Sequence, residues 1–409
     1  MNLMTGIVRP YSWGSRTAIA ELCRRPAPAP HPEAELWFGA HPGDPAFLVT
    51  PAGPRSLLEL LESDPVEQLG SRARAEFGDR LPFLLKVLAA EEPLSLQAHP
   101  SAVQAREGFA DEQRRGIGLA SAVRNYRDAS HKPELICALT PFHALAGFRA
   151  APATVALLTA LRCPTLDPYT ALLAHQPDAD GLRALFTTWI TLPRPALGKL
   201  LPPVLDACVA HVREHGKFTV EARTVLELGE AYPGDAGVLA ALLLNRVTLE
   251  PGQALYLPAG NLHSYLRGVG VEIMANSDNV LRGGLTPKHV DVPELLRILD
   301  FESGPPPFVH ATLAGLEHTY PTPAPEFALS RLELAAGQEV TLAHDGPQVL
   351  LCTAGAAELA AVSTGSPAGG EVRLCRGASA WFPASDGPVR VRAVEEKTQL
   401  FRATDGLVG

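Results

Sequence analysis

The sequence predicts a mainly β protein with an α-helical insertion, built from two jelly-roll barrels of which the second is a degraded copy of the first. Three observations carry this expectation. Residues 1–150 and 245–300 are short apolar or alternating runs broken by Pro and Gly, as in FGAHPGDPAFLVTPAGPRS, the texture of strands and loops. Residues 151–244 change to three- and four-residue apolar spacing, with Leu201, Val204, Leu205, Val209 and Val212 on one helical face. The interval from Gly252 to Pro258 in GQALYLPAGNLH recurs from Gly377 to Pro383 in RGASAWFPASDG, without the second glycine and the histidine that follow the first copy.

These changes of texture divide the chain into a discontinuous first barrel (1–150 and 245–300), a helical insertion (151–244) and a C-terminal degenerate jelly roll (301–409). Within the first segment, one helical piece is expected over Leu57 to Glu76. Asp235 is placed to cap the apolar run Val238 to Leu244, and a strand follows at Arg246 to Leu249. EPGQ then offers a tight turn with Pro251 and Gly252 at its centre. Asp291, with Glu294 three residues on, caps a short helix over Pro293 to Leu299. PAPAP (26–30) and PTPAPE (321–326) read as exposed loops. The long polar connection 104–130 has the length of a lid.

Composition excludes several partners. With 44 acidic against 35 basic residues the net charge is -9, so the chain lacks the basic stripe that nucleic acid or an anionic membrane requires. Any anion site must be a local cluster. The six cysteines form no paired motif and read as reduced core thiols. MNLMTGIVRPYSWGS has no apolar core of signal-peptide length, and no uncharged run is long enough to cross a bilayer, which predicts a cytoplasmic protein.

The chemistry-bearing residues cluster around GQALYLPAGNLH. Pro258 and Gly260 force a sharp turn that returns His263 to the barrel wall. A lone histidine is usually a packed core residue, but further candidates stand upstream. In PLSLQAHP, period-2 alternation puts Ser95, Gln97 and His99 on one face of a strand, otherwise readable as a wetted edge. In HKPELICAL, Lys132 and Glu134 share a face. Gln97, His99, Glu134 and His263 together make a four-ligand set for a divalent ion such as zinc. With Glu134 as its one charged ligand, such an ion keeps its Lewis acidity. The second barrel has no matching ligands, so one ion per chain is expected.

With these residues in view, the runs LPFLLKVL, PLSLQAHPS, NYRDASHKPEL, LPAGNLHSYL and SDNVLRGGLTPK, with PYSWGS and ELWFGAHP, resemble type I mannose-6-phosphate isomerases, zinc enzymes of the cupin fold. The resemblance covers about half the chain, roughly 1–150 and 245–300, and leaves 151–235 without a family motif. It implies zinc held by Gln97, His99, Glu134 and His263, a catalytic arginine at Arg282, a sugar-phosphate substrate, and a monomer or weak homo-oligomer in carbohydrate metabolism. The asparagine that ends the general cupin pattern is absent, with Arg267 at that point.

Aldose–ketose isomerisation through an enediolate needs a polariser, a base, a positive charge near the enediolate and a phosphate anchor. Arg282, beside two glycines in LRGG, suits the third role because its charge is permanent; its ordinary alternative is a loop arginine paired with Asp278. Lys132, His131 and Glu272 are open candidates for the base. His131 has the opposite strand parity to Lys132, and Glu272 lies in the apolar strand VGVEIMA. For the phosphate, Ser95, Lys86 and Lys288 are the candidates, and Tyr265 and Asp278 complete the substrate-binding set. Lys86 interrupts an apolar strand, so it requires an anionic partner, either substrate or a protein carboxylate. An iron-dependent cupin oxygenase and a non-catalytic sugar-sensing cupin are the alternatives. A fourth protein ligand in Gln97 weighs against the first, and the retained arginine and lysines weigh against the second.

Overall fold

The computed structural model describes residues 1–343, 345–362 and 371–407. Its organising element is the strand His263–Ala275, which serves two sets of neighbours. The half beginning at His263 pairs with Phe142–Phe148 and, at His263 itself, with Gln97–Ala98. The half ending at Ala275 pairs with Phe83–Ala90 on one side and Glu134–Ala138 on the other. Gly268, at φ +123°, marks the break between them. A Cβ there would fall 2.7 Å from the Pro141 carbonyl oxygen, so no side chain fits. All candidate ligands thus lie on strands or turns touching this one element.

The chain is mainly β with a helical insertion, as the sequence predicts. Six α-helices, from Ala151–Ala160 to Gly237–Ala240, fill the insertion around Leu185, Phe186, Trp189, Val204 and Cys208. On the helix Arg194–Arg213, Leu201 and Val204 are buried as expected, but Val209 points outward at 36% exposure. The expected helix over Leu57 to Glu76 is two: Leu57–Ser63 capped by Ser56, and Pro65–Phe77 capped by Asp64. The helix Val292–Ile298 begins at the predicted cap, where Asp291 accepts the Glu294 N–H. Among the described residues no helix is long and apolar enough to cross a membrane.

Six C-terminal strands with three N-terminal ones form a nine-stranded sheet facing the four-stranded sheet of Glu339–Leu342, Val389–Ala393, Ala356–Ala361 and Val372–Cys375. Alternation assigns each strand residue of the larger sheet to one of two cores. Leu332, Leu350, Phe382 and Leu400 pack between the two sheets. Leu329, Val349, Trp381 and Phe401 pack against Leu85, Val87, Val271 and Ile273 of the first sheet system. The division drawn at residue 300 is a division of chain rather than of sheet. Asn2–Thr5 inserts between Ser379–Phe382 and Phe47–Thr50, carrying the N-terminal residues into the C-terminal sheet.

The connection 104–130 is not a bare loop. Ser101 and Gln104 form a capping box that starts the helix Ala102–Arg114. The buried Glu112 carboxylate then accepts the N–H groups of Asn125 and Tyr126, folding the remainder back onto this helix.

Candidate metal centre and active site

His99, Glu134 and His263 arrive from three different segments and converge so that their donor atoms lie within 4.8 Å of one another. His99 Nε2 is 3.3 Å from one Glu134 oxygen, and His263 Nε2 is 3.5 Å from the other. Each ring is fixed from behind. His99 Nδ1 donates to the Asn279 carbonyl at 2.8 Å, and His263 Nδ1 to the Asn261 carbonyl at 3.0 Å. These bonds put the protons on Nδ1 and turn both Nε2 lone pairs toward Glu134. The sharp turn before His263 is where the sequence puts it. Gly260 sits at φ +77°, and its N–H donates to the His99 carbonyl, tying the two histidine segments together.

The electrostatics require a cation. Burial pushes His99 toward its neutral form despite the adjacent carboxylate. Burial also works against the charge of Glu134, yet the imidazoles and Lys132 hold it well below the usual carboxylate range. His99 Nε2 is left buried without a hydrogen-bond partner. With each Nδ1 committed to a backbone carbonyl, the two Nε2 lone pairs and the carboxylate facing one another are an acceptor-only set, which a divalent ion satisfies. Gln97 lies beside this set. It pairs in register with His263 on one side and Arg282 on the other, and its side chain lines the adjoining cavity.

That cavity, about 1530 Å³, collects Ser95, Gln97, Lys86, Lys132, Asp278, Arg282 and Lys288 from the sequence-predicted set. Three predicted residues lie elsewhere. His131 does not line the cavity, and its Nε2 is 2.5 Å from Glu326 Oε1. Glu272 is buried behind Lys86, and Tyr265 donates its hydroxyl to Glu272 at 2.8 Å, so neither reaches the cavity surface.

Lys86 lines the cavity, but its Nζ is 3.0 Å from Glu272 and 3.5 Å from Glu35. Burial opposes its charge, and these carboxylates with Glu134 more than offset that, holding its pKa above the ordinary lysine value. Its ion-pair partners are thus protein carboxylates, one of the two alternatives, substrate or protein, that the sequence left open. Asp278 pairs with His41 at 3.3 Å rather than with Arg282. Arg282 is left free of ion pairs among the described residues, as are Lys288 and Arg127, a residue the sequence reading missed. Burial and then the neighbouring cations lower the pKa of both Arg282 and Lys288, the mark of like charges gathered without an anion. Arg127 stood inside NYRDASHKPEL but offered no periodic signal of its own. Glu35 and Trp37, the latter donating to Glu35 at 2.7 Å, stood in ELWFGAHP.

A sheet scaffold that converges two imidazoles and a carboxylate beside a cavity rich in unpaired cations defines a metal-site enzyme for a small anionic substrate. The comparisons with known proteins make this particular. A family model described as the phosphomannose isomerase type I catalytic domain matches residues 1–151. The mannose-6-phosphate isomerase of Escherichia coli (strain K12) is 38% identical over 96% of this chain and 97% of its own. That of Homo sapiens is 31% identical over 97% and 96%. A solved variant of phosphomannose isomerase from Salmonella typhimurium superposes with a TM-score of 0.90 at 36% identity, covering 100% of both chains. A zinc-bound mannose 6-phosphate isomerase structure gives 0.88 over 99% of each. The chain belongs to the type I mannose-6-phosphate isomerase family.

Proposed function

We propose that this chain interconverts mannose 6-phosphate and fructose 6-phosphate by proton transfer through an enediolate, with zinc held by Gln97, His99, Glu134 and His263. The observation that carries the reading is an acceptor-only ligand set beside a cavity where Arg127, Arg282 and Lys288 have no ion-pair partner among the described residues. The bound ion would act as a Lewis acid toward the sugar's carbonyl and hydroxyl oxygens. Its zinc-bound relative supports the choice of metal.

The chain's own residues take the other roles. Of the three candidate bases, only Lys132 lines the cavity. Its Nζ is 3.4 Å from Glu134, beside the ligand set, and it carries the proton between the two substrate carbons. Arg282, in register with Gln97, lies next to the ligands and supplies permanent positive charge to the enediolate. Lys288 and Arg127, which share its field, hold the phosphate dianion, with Ser95 beside them. Lys86, fixed between Glu272 and Glu35, keeps the wall of the cavity charged but neutralised. The isomerase relatives favour this reading over an oxygenase or a sugar sensor.

Turnover of mannose 6-phosphate in deuterated water tests the mechanism. Solvent deuterium in the fructose 6-phosphate formed, read by NMR, is the expected result. Turnover without any solvent label would replace proton transfer by hydride transfer.

A further inference from the structure

The helical insertion does more than fill space beside the barrel. Where its helix Thr219–Ala231 ends, the chain turns through Gly234, at φ +75°, and presents Asp235 to a different segment of the molecule. Asp235 Oδ1 accepts the N–H groups of Gly237 at 2.7 Å and Leu285 at 2.9 Å, and Oδ2 accepts that of Thr286 at 3.3 Å. The carboxylate thus satisfies its own helix start and two successive amides of the loop between Arg282 and Lys288.

That loop is held in a conformation it would not choose alone. Leu285 is at φ +54°, a left-handed conformation costly for a branched side chain, and follows Gly284 at φ +120°. The two backbones touch: a Cβ on Gly284 would lie 2.8 Å from Gly237 Cα and 2.9 Å from Asp235 Oδ1. Leu285 is buried in the same apolar core as the insertion helices. On the loop's other side, Gly283 and Gly284 exchange backbone hydrogen bonds with Leu96 of the ligand segment, where Leu96 N–H donates to Gly284 O and Gly283 N–H to Leu96 O. A second grip comes from Tyr232, whose hydroxyl donates to the Pro93 carbonyl at 2.6 Å.

We infer that Asp235 is a positioning residue, which anchors the backbone at Leu285 and Thr286 and so fixes the place of Lys288 in the phosphate grip from within the insertion, while Arg282 is held separately by its strand pairing with Gln97. The Asp235 charge is spent on amide protons rather than on the guanidinium or ammonium groups, so the cations stay available to an anion. This rests on the phosphate assignment made above.

The test compares Asp235→Ala, Asp235→Asn and Lys288→Ala in full-length, metal-loaded enzyme. The readouts are kcat and KM for mannose 6-phosphate, inhibition by inorganic phosphate, and metal content. Loosening the loop should raise KM and the phosphate inhibition constant roughly 10-fold in Asp235→Ala, with kcat changed far less and metal content intact, since weakening one charge-assisted contact is of that order. Asp235→Asn keeps the Oδ1 acceptor but turns an NH2 toward the Thr286 N–H, so it should fall between. It also preserves the test if the alanine variant does not fold. Unchanged KM and phosphate inhibition in both Asp235 variants, or a fall in kcat at constant KM, would overturn the inference. If Lys288→Ala leaves phosphate inhibition unchanged, the phosphate assignment fails instead, and the two failures are told apart.

Discussion

Lys86 and Glu272 face each other across adjacent strands, paired in register, with Nζ and Oε2 3.0 Å apart and almost no exposure of either side chain. Glu35 adds a second carboxylate to the same ammonium at 3.5 Å, and Tyr265 closes the far side of Glu272. One buried cation therefore serves two buried carboxylates, and the cost of breaking the pair falls on whichever charge is left behind.

Replacing Lys86 by Met should destabilise the protein by about 3 to 5 kcal/mol, because Glu272 and Glu35 remain buried without their cation. Adding Glu272→Leu to that variant should recover part of the loss. Urea unfolding of the single and double variants measures this, and a double variant no more stable than the single would show that packing, not charge, dominates.

The ligand set should bind one divalent ion per chain. His99→Ala and His263→Ala should each abolish stoichiometric binding, and Gln97→Ala should weaken it, because an amide oxygen is the poorer donor. Metal analysis after dialysis against a chelator reads this directly. Full occupancy in all three variants would place the ion elsewhere.

Removing the guanidinium in Arg282→Ala should lower kcat by about 100-fold or more while KM moves less, since the charge acts mainly on the enediolate. Steady-state kinetics separate this from the opposite pattern, normal kcat with raised KM, which would make Arg282 a second phosphate anchor.

Alkaline pH should weaken the fold through its core thiols. Burial pushes Cys137 up to about 11, and Cys208 and Cys352 to about 12, from an ordinary thiol value of 9.0. Raised folded-state values mean that the stabilisation is complete below pH 9, where the unfolded thiols are also neutral. It is lost as pH rises from there through 11 and 12. At pH 10 each thiol should have given up about 1.4 kcal/mol, roughly one pH unit of linkage. The urea midpoint should therefore fall between pH 8 and 10, and fall less in Cys208→Ala.

Much of the site was legible because its residues sit in rigid, short-range patterns. Period-2 spacing delivered Gln97, and the turn residues Pro258 and Gly260 delivered His263; Lys132 and His131 stayed open as bases, because they precede the strand Glu134–Ala138 and parity does not reach them. Long-range partnership was not legible. Lys86 announced that it needed an anion, but nothing local distinguished a substrate phosphate from Glu272, which lies far along the chain and meets it only through strand register. Asp235 illustrates the same limit. Its position before an apolar run marked it as a cap, and only the fold brings the Leu285 amide to the same oxygen and the Thr286 amide to the other. Val209 failed for a different reason: spacing identifies a helical face but not the width of the stripe that a neighbour covers.

The strand Asn2–Thr5, held between Phe47–Thr50 and Ser379–Phe382, also governs the order of assembly. Asn2–Thr5 finds one of its two strand neighbours only once synthesis has passed Phe382. Loop closure over that distance is slow, and until it happens an open strand edge is exposed to other chains. During synthesis the helical insertion can condense on local contacts, whereas the sheet joining the two halves must wait. A chain halted before Ser379 leaves the edge of Asn2–Thr5 without its covering strand, so chains stopped short of that point are expected to need protection from aggregation that the folded molecule does not.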